Sequence, residues 1–154
     1  MADYMGLESI DSSDYVSPTP INNNFKKLDV LGLDYVVEQG TSGEWWYRKW
    51  KSGRAECGID SKSFGDQAMY TQSVGASNMY RTTDLSFGAY PFSFAARPYV
   101  EVSFEGDTKS SDRTSFVAKK NSTSTTMSPK FFIVDWAGGN MGAVAGIYVC
   151  GRYK

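Results

Sequence analysis

The chain has no histidine and only two cysteines in 154 residues. Without histidine, its own side chains cannot form a Ser-His-Asp or Cys-His catalytic arrangement. No His-ligated zinc or iron site can form, and two cysteines cannot complete a four-cysteine site. Long apolar runs are also missing. The longest, 131–134 and 142–150, are strand-sized, well short of the roughly 18 residues a membrane helix needs. The opening Met1-Ala2-Asp3-Tyr4-Met5-Gly6 lacks the basic start and apolar core of a signal peptide. The expectation is therefore synthesis in the cytosol without membrane insertion. With 16 basic and 17 acidic residues the net charge is −1, which makes no electrostatic case for nucleic acid. No motif calls for a metal or a cofactor, and none is expected.

What the chain does have is aromatic residues, 15% of the total, and 15 glycines. Together these predict a small β-rich domain with many tight turns. Residues 1–18 read as a flexible or attachment segment. Asp3, Glu8, Asp11 and Asp14 have no nearby base there, and Ser12, Ser13, Ser17 and Pro18 break periodicity. Residues 19–32 read as a short helix, with Thr19 as cap, Pro20 at the first position and Gly32 at the end. Ile21, Phe25 and Leu28 form its apolar stripe. A helix this short is marginal alone. The stripe packs either on its own domain or on symmetry-related copies, and its spacing does not choose between them.

From residue 33 to 154 the pattern becomes strands and turns. Strands are expected over 35–39, 45–50 and 54–57, with turns at 40–43 and 51–53. In the second strand Trp45, Tyr47 and Lys49 share one face, and Trp46, Arg48 and Trp50 share the other. Aromatics on both faces imply that both faces are covered, so Trp45, Trp46 and Trp50 are candidate contacts between subunits. Residues 58–81 read as loops with one or two short strands, and 85–105 as a more regular region. Within it, Val100, Val102 and Phe104 alternate with Tyr99, Glu101, Ser103 and Glu105, the pattern of a half-buried strand. Further strands are expected at 114–118, 131–136 and 143–153, with a turn at 137–142. Cys57 and Cys150 are expected to stay separate thiols.

Chemistry is sparse. Asp and Glu residues are plentiful, but none lies in a spacing that marks a glycosidase pair, and surface charge explains them. Asp135, inside an apolar strand, requires a partner such as an arginine or a backbone amide. Gly138-Gly139-Asn140-Met141-Gly142 lacks the Lys-Ser/Thr of a phosphate loop and reads as a hairpin turn. Trp136, Asn140, Tyr80 and Arg81 are candidates for a sugar site, where aromatic faces meet the C–H surface of a pyranose and polar groups read its hydroxyls. Ordinary core packing is the plain alternative for each aromatic.

The run Asp34-Tyr35-Val36-Val37-Glu38-Gln39-Gly40-Thr41-Ser42-Gly43, followed by Trp45-Trp46-Tyr47-Arg48-Lys49-Trp50-Lys51-Ser52-Gly53-Arg54-Ala55-Glu56-Cys57, resembles a segment of tail-fibre and minor structural proteins of phages and prophages of Gram-positive bacteria. The ending Tyr148-Val149-Cys150-Gly151-Arg152-Tyr153-Lys154 resembles the tail of the same proteins. Two departures are visible. The family run continues after the cysteine with Trp-Gly, whereas Gly58-Ile59 follows here, and the last aromatic is Tyr153 rather than Trp.

The resemblance implies a mainly β, antiparallel sandwich-like head domain, homotrimeric, with the 19–32 helix as its neck. It also implies a virion location, attachment to other virion proteins through the N-terminal segment, and a head that binds a host cell-surface glycan or protein without catalysis. A capsid head fibre or a baseplate adaptor that binds another virion protein is the alternative. A polysaccharide depolymerase is a third reading, disfavoured by small size and by the missing acid pair.

Overall fold

In the computed structural model, residues 32–74, 77–110 and 114–154 are described. The expected helix up to residue 31, its stripe of Ile21, Phe25 and Leu28, and the attachment segment lie outside the described residues. The chain divides at Tyr35/Val36, and the described strands all lie in the unit from Val36 to Lys154.

This unit is mainly β, with nine strands in two antiparallel sheets and no helix among the described residues. The strands are β1 (Val36–Ser42), β2 (Trp45–Trp50), β3 (Arg54–Gln67), β4 (Tyr70–Val74), β5 (Ser77–Arg81), β6 (Tyr99–Asp107), β7 (Ser115–Lys119), β8 (Phe131–Asp135) and β9 (Met141–Arg152). The five-stranded sheet runs β1-β2-β3-β9-β6 and the four-stranded sheet β4-β5-β8-β7.

The first hairpin is tighter than expected. Gly40 and Thr41 remain in β1, opposite Tyr47 and Trp46, and the turn shrinks to Gly43-Glu44 between the paired Ser42 and Trp45. Gly43 takes φ +61°, a value that a two-residue hairpin loop needs and that only glycine adopts freely.

Two further expectations change. β3 does not stop at Cys57 but continues to Gln67, paired with β9 from Arg54↔Arg152 to Gln67↔Met141. The Ser, Lys, Gly and Asp residues of 60–66 are poor strand formers alone. They are held because β9 is a strongly apolar strand needing a neighbour on each side, so context overrides propensity. Register shifts between Ile59/Lys62 and Ser63/Asp66 absorb the mismatch. Residues 85–98, in turn, are not a regular strand. They form an irregular connection tied down by the Leu85↔Phe131 and Ala89↔Met127 bridges and by the Tyr90 and Phe94 amides, which donate to the Thr126 and Thr125 carbonyls.

A single core cluster draws from both sheets and from that connection. β9 supplies Met141, Ala143, Ala145, Ile147 and Val149; β3 supplies Ala55, Cys57 and Ile59; β8 supplies Phe131 and Ile133. β6 buries Val100, Val102 and Phe104 to differing degrees and turns Tyr99, Glu101, Ser103 and Glu105 outward, as its alternation predicts. The aromatic excess resolves into a ring network. Phe87 stacks on Phe131 at 5.2 Å with 18° between planes, Phe64 meets both edge-on, and Trp45 meets Phe87 and Tyr90 edge-on. Such pairs contribute beyond the area they bury.

Buried polar groups find partners locally. Asp135 accepts from the Ser115 hydroxyl at 2.6 Å and the Ala137 amide at 2.7 Å. Thr82 accepts from the Ile133 amide and donates to the Thr83 carbonyl. The cysteines occupy adjacent strands but opposite faces. Cys57 pairs with Val149 on the core face, while Cys150 sits opposite Glu56 on the outer face, and both are free thiols.

Phe131 is fully buried at the centre of the ring network. Phe131→Ala is expected to lower stability by about 3–5 kcal/mol. Urea unfolding should show this as a lower midpoint with an unchanged slope.

Candidate functional site

On the outer face of the five-stranded sheet, strand registry places four residues side by side. Trp46 pairs with Gly58, Gly58 with Tyr148, and Tyr148 with Glu101, so one row crosses β2, β3, β9 and β6. Because Gly58 has no side chain, the indole of Trp46 lies over it. A Cβ on Gly58 would come 2.7 Å from Trp46 Cζ2 and 2.7 Å from the Ile147 carbonyl. The indole thereby reaches Tyr148, with ring centroids 6.2 Å apart and planes 39° from parallel.

The neighbouring row deepens the surface. Ser103 pairs with Gly146, and a Cβ on Gly146 would lie 2.6 Å from the Asp60 carbonyl and 3.0 Å from the Ser103 hydroxyl. Between the Trp–Tyr pair and the Asp60, Ser103 and Glu101 side chains, the sheet carries an open hollow of about 270 Å³.

The ring walls are held by carboxylates. Trp46 Nε1 donates to Asp60 Oδ1 at 2.8 Å, and the Tyr148 hydroxyl donates to Glu56 Oε2 at 2.7 Å. The other Glu56 oxygen faces Arg48 at 3.8 Å. Burial, then the Glu56 hydrogen bond, pushes the Tyr148 phenol up from 10.0 to about 12, so it stays a neutral donor. Ser103 donates to Glu105 at 2.6 Å along β6. Chemically the hollow offers two half-buried aromatic faces with fixed tilt, and carboxylate and hydroxyl oxygens at the rim. That combination suits a ring with one apolar face and donor groups at its edge. No group of three or more Cys, Asp or Glu is gathered for a metal ion among the described residues. No helix among them is long and apolar enough to cross a membrane.

The residues proposed from sequence fall in several places. Tyr80 and the turn after β8 do meet: a Cβ on Gly138 would lie 2.9 Å from Tyr80 Cε1. Trp136 on that turn is 60% exposed, and Asn140 is exposed beside it in sequence. Arg81 is committed elsewhere, since adjacent strand residues face opposite ways. Its guanidinium lies 3.6 Å from the Phe132 ring centroid and pairs with Asp84 at 2.9 Å. Trp45 is 6% exposed and packs in the protein's own core, under the 82–98 connection. Trp46 and Trp50 do share the outer face, and Trp50 carries Arg54 over its ring at 5.4 Å.

Tyr148, Asp60 and Glu101 escape sequence reading because only registry joins them. One signal exists in retrospect: Tyr148 is the lone aromatic residue on the outward face of β9, among Gly142, Val144, Gly146, Cys150 and Arg152. Comparison with known protein families, curated proteins and solved structures finds no match to this chain.

Alanine usually stabilises a strand relative to glycine. At Gly146 the sign should reverse, because the added Cβ meets backbone at 2.6 Å. Gly146→Ala is expected to cost about 1–3 kcal/mol in urea unfolding.

Burial also pushes the Cys57 thiol up from 9.0 to about 12 and the Tyr90 phenol from 10.0 to about 12. Between pH 9 and 12 the unfolded chain releases these protons and that of Tyr148 while the folded chain keeps them. Their contribution to stability is therefore complete below pH 9 and lost as pH rises toward 12. Urea midpoints measured across this range should fall, and Cys57→Ala and Tyr148→Phe should each make the fall shallower.

Proposed function

We propose that this chain is a virion structural protein of the tail-fibre or tail-tip type, from a phage or prophage of a Gram-positive host. Its two antiparallel sheets form a sandwich-like head that binds a host-surface glycan without catalysis. The resemblance of residues 34–57 and 148–154 supports the virion assignment. The observation that carries the binding reading is the Trp46–Tyr148 hollow on the outer sheet face, whose rings are fixed by Asp60 and Glu56. Planar rings held at a set tilt present a low-entropy platform for a pyranose.

The proposed assembly is a homotrimer with residues 19–32 as its neck and the N-terminal segment attached to other virion proteins. Three copies of a weak site on one particle add by multivalency. A second reading, a head fibre or baseplate adaptor bound to another virion protein, is favoured by β1. This edge strand of the five-stranded sheet is exposed at all seven residues and offers backbone groups for strand addition.

A glycan array of host wall oligosaccharides tests the main reading. Trp46→Ala should weaken binding by about 2 kcal/mol, roughly 30-fold, as for an aromatic hot spot. Trp136→Ala should leave binding unchanged. Loss on Trp136→Ala alone would move the site to the turn after β8. A change in particle mass on Trp46→Ala, read by light scattering, would make the outer face a subunit contact instead. A blank array with capture of a purified virion component would favour the adaptor.

A further inference from the structure

The charge of the hollow narrows what it can hold. Asp60, Glu101 and Ser103 line it beside the two rings, and among the described residues neither lysine nor arginine does. Glu105 lies at its end, where a Cβ on Gly146 would be 3.2 Å from Oε1. The chain as a whole is close to neutral, at −1, so this acidity is local. Two bases share this face and are occupied: Arg48 faces Glu56 at 3.8 Å, and Arg54, which meets the Tyr148 hydroxyl, lies over the Trp50 ring at 5.4 Å.

The rim carboxylates keep acceptor capacity. Asp60 uses Oδ1 for the indole N–H, and among the described residues Glu101 receives only a long 3.4 Å bond, from the Tyr99 hydroxyl at Oε2. Both side chains belong to exposed residues, so their charge carries little desolvation cost. Carboxylates only accept, and aromatic faces carry negative quadrupole. A ligand entering here meets negative potential from the walls and from the rim. Phosphate- or uronate-bearing polymers are repelled. A protonated amine on a sugar ring gains on both counts, through charge-assisted hydrogen bonds to the rim and cation–π attraction to the walls.

We propose that this hollow selects saccharides bearing a free, protonated amine, that is, amino sugars lacking the N-acetyl group, over their N-acetylated and acidic counterparts. The proposal rests on the glycan-binding reading above and adds the ligand's charge to it. Glu101 and Asp60 are its specificity determinants; Trp46 and Tyr148 serve any pyranose.

Calorimetric titration of the full chain with three tetrasaccharides provides the test: fully deacetylated glucosamine, N-acetylglucosamine and a uronic acid oligomer. The deacetylated tetramer should bind about tenfold more tightly than the acetylated one, equal to about 1.4 kcal/mol. Raising salt should shrink that preference, because exposed charges are screened over about 10 Å at 0.1 M. Glu101→Gln keeps shape and a carbonyl acceptor at an exposed position. It should cut the preference about fivefold, with the larger loss falling on the deacetylated tetramer. Asp60→Asn keeps an acceptor for Trp46 and should act in the same direction. Equal or tighter binding of the acetylated or acidic tetramer overturns the charge selection and leaves glycan binding standing. So does a preference that survives Glu101→Gln and Asp60→Asn together. If none of the three binds to the folded chain, the glycan reading falls with it.

Discussion

The structure depends on one strand finding two partners. β9 is apolar at every core-facing position and lies between β3 and β6, paired with both along most of its length. A strand so placed leaves few backbone groups unpaired and contributes five side chains to the core. Its demand for a neighbour extends β3 through a stretch of polar residues that would otherwise be loop. The same pairing sets the registry by which Tyr148 stands between Gly58 and Glu101. The core on one face and the hollow on the other are consequences of a single alignment.

Aromatic residues divide by face. On the inner side, Trp45, Phe64, Phe87, Tyr90 and Phe131 form a network of edge-on and stacked contacts covered by the 82–98 connection. On the outer side, Trp46 and Tyr148 are held by hydrogen bonds to carboxylates rather than by apolar burial. The difference is physical. A core ring is fixed by close packing, which needs no polar partner. A surface ring keeps a fixed tilt only if its N–H or O–H is tied, and here the ties also bring negative charge to the rim. Gly58 and Gly146 supply the remaining condition, an absent Cβ where ring or backbone must pass.

Much of the fold was legible in the residues. The alternation of 99–105 and the strands expected at 131–136 and 143–153 are present, their ends moved by one or two residues, and the two faces of Trp45–Trp50 divide as the period of two requires. Asp135 has the backbone-amide partner that a buried carboxylate needs, with a serine hydroxyl beside it. The extent of β3 and the irregular course of 85–98 were not legible, because both depend on partners far away in sequence. The sugar-site candidates show the same limit. Tyr80 and the turn at Gly138 meet because β5 and β8 pair, whereas Arg81, one residue on, turns to Phe132 and Asp84.

The sequence by itself determined the chemistry open to this protein: no histidine, hence no histidine-based catalysis or metal ligation, and aromatic and glycine content suited to sheets and turns. It also determined which residues of each regular strand share a face, because that follows from local geometry alone. Only the tertiary structure decided which faces meet. The row Trp46–Gly58–Tyr148–Glu101 draws on four strands, and a shift of one residue in any of their pairings would send its side chain to the opposite face. Registry of that kind is set by burial of the whole core, a property no local stretch of the chain contains.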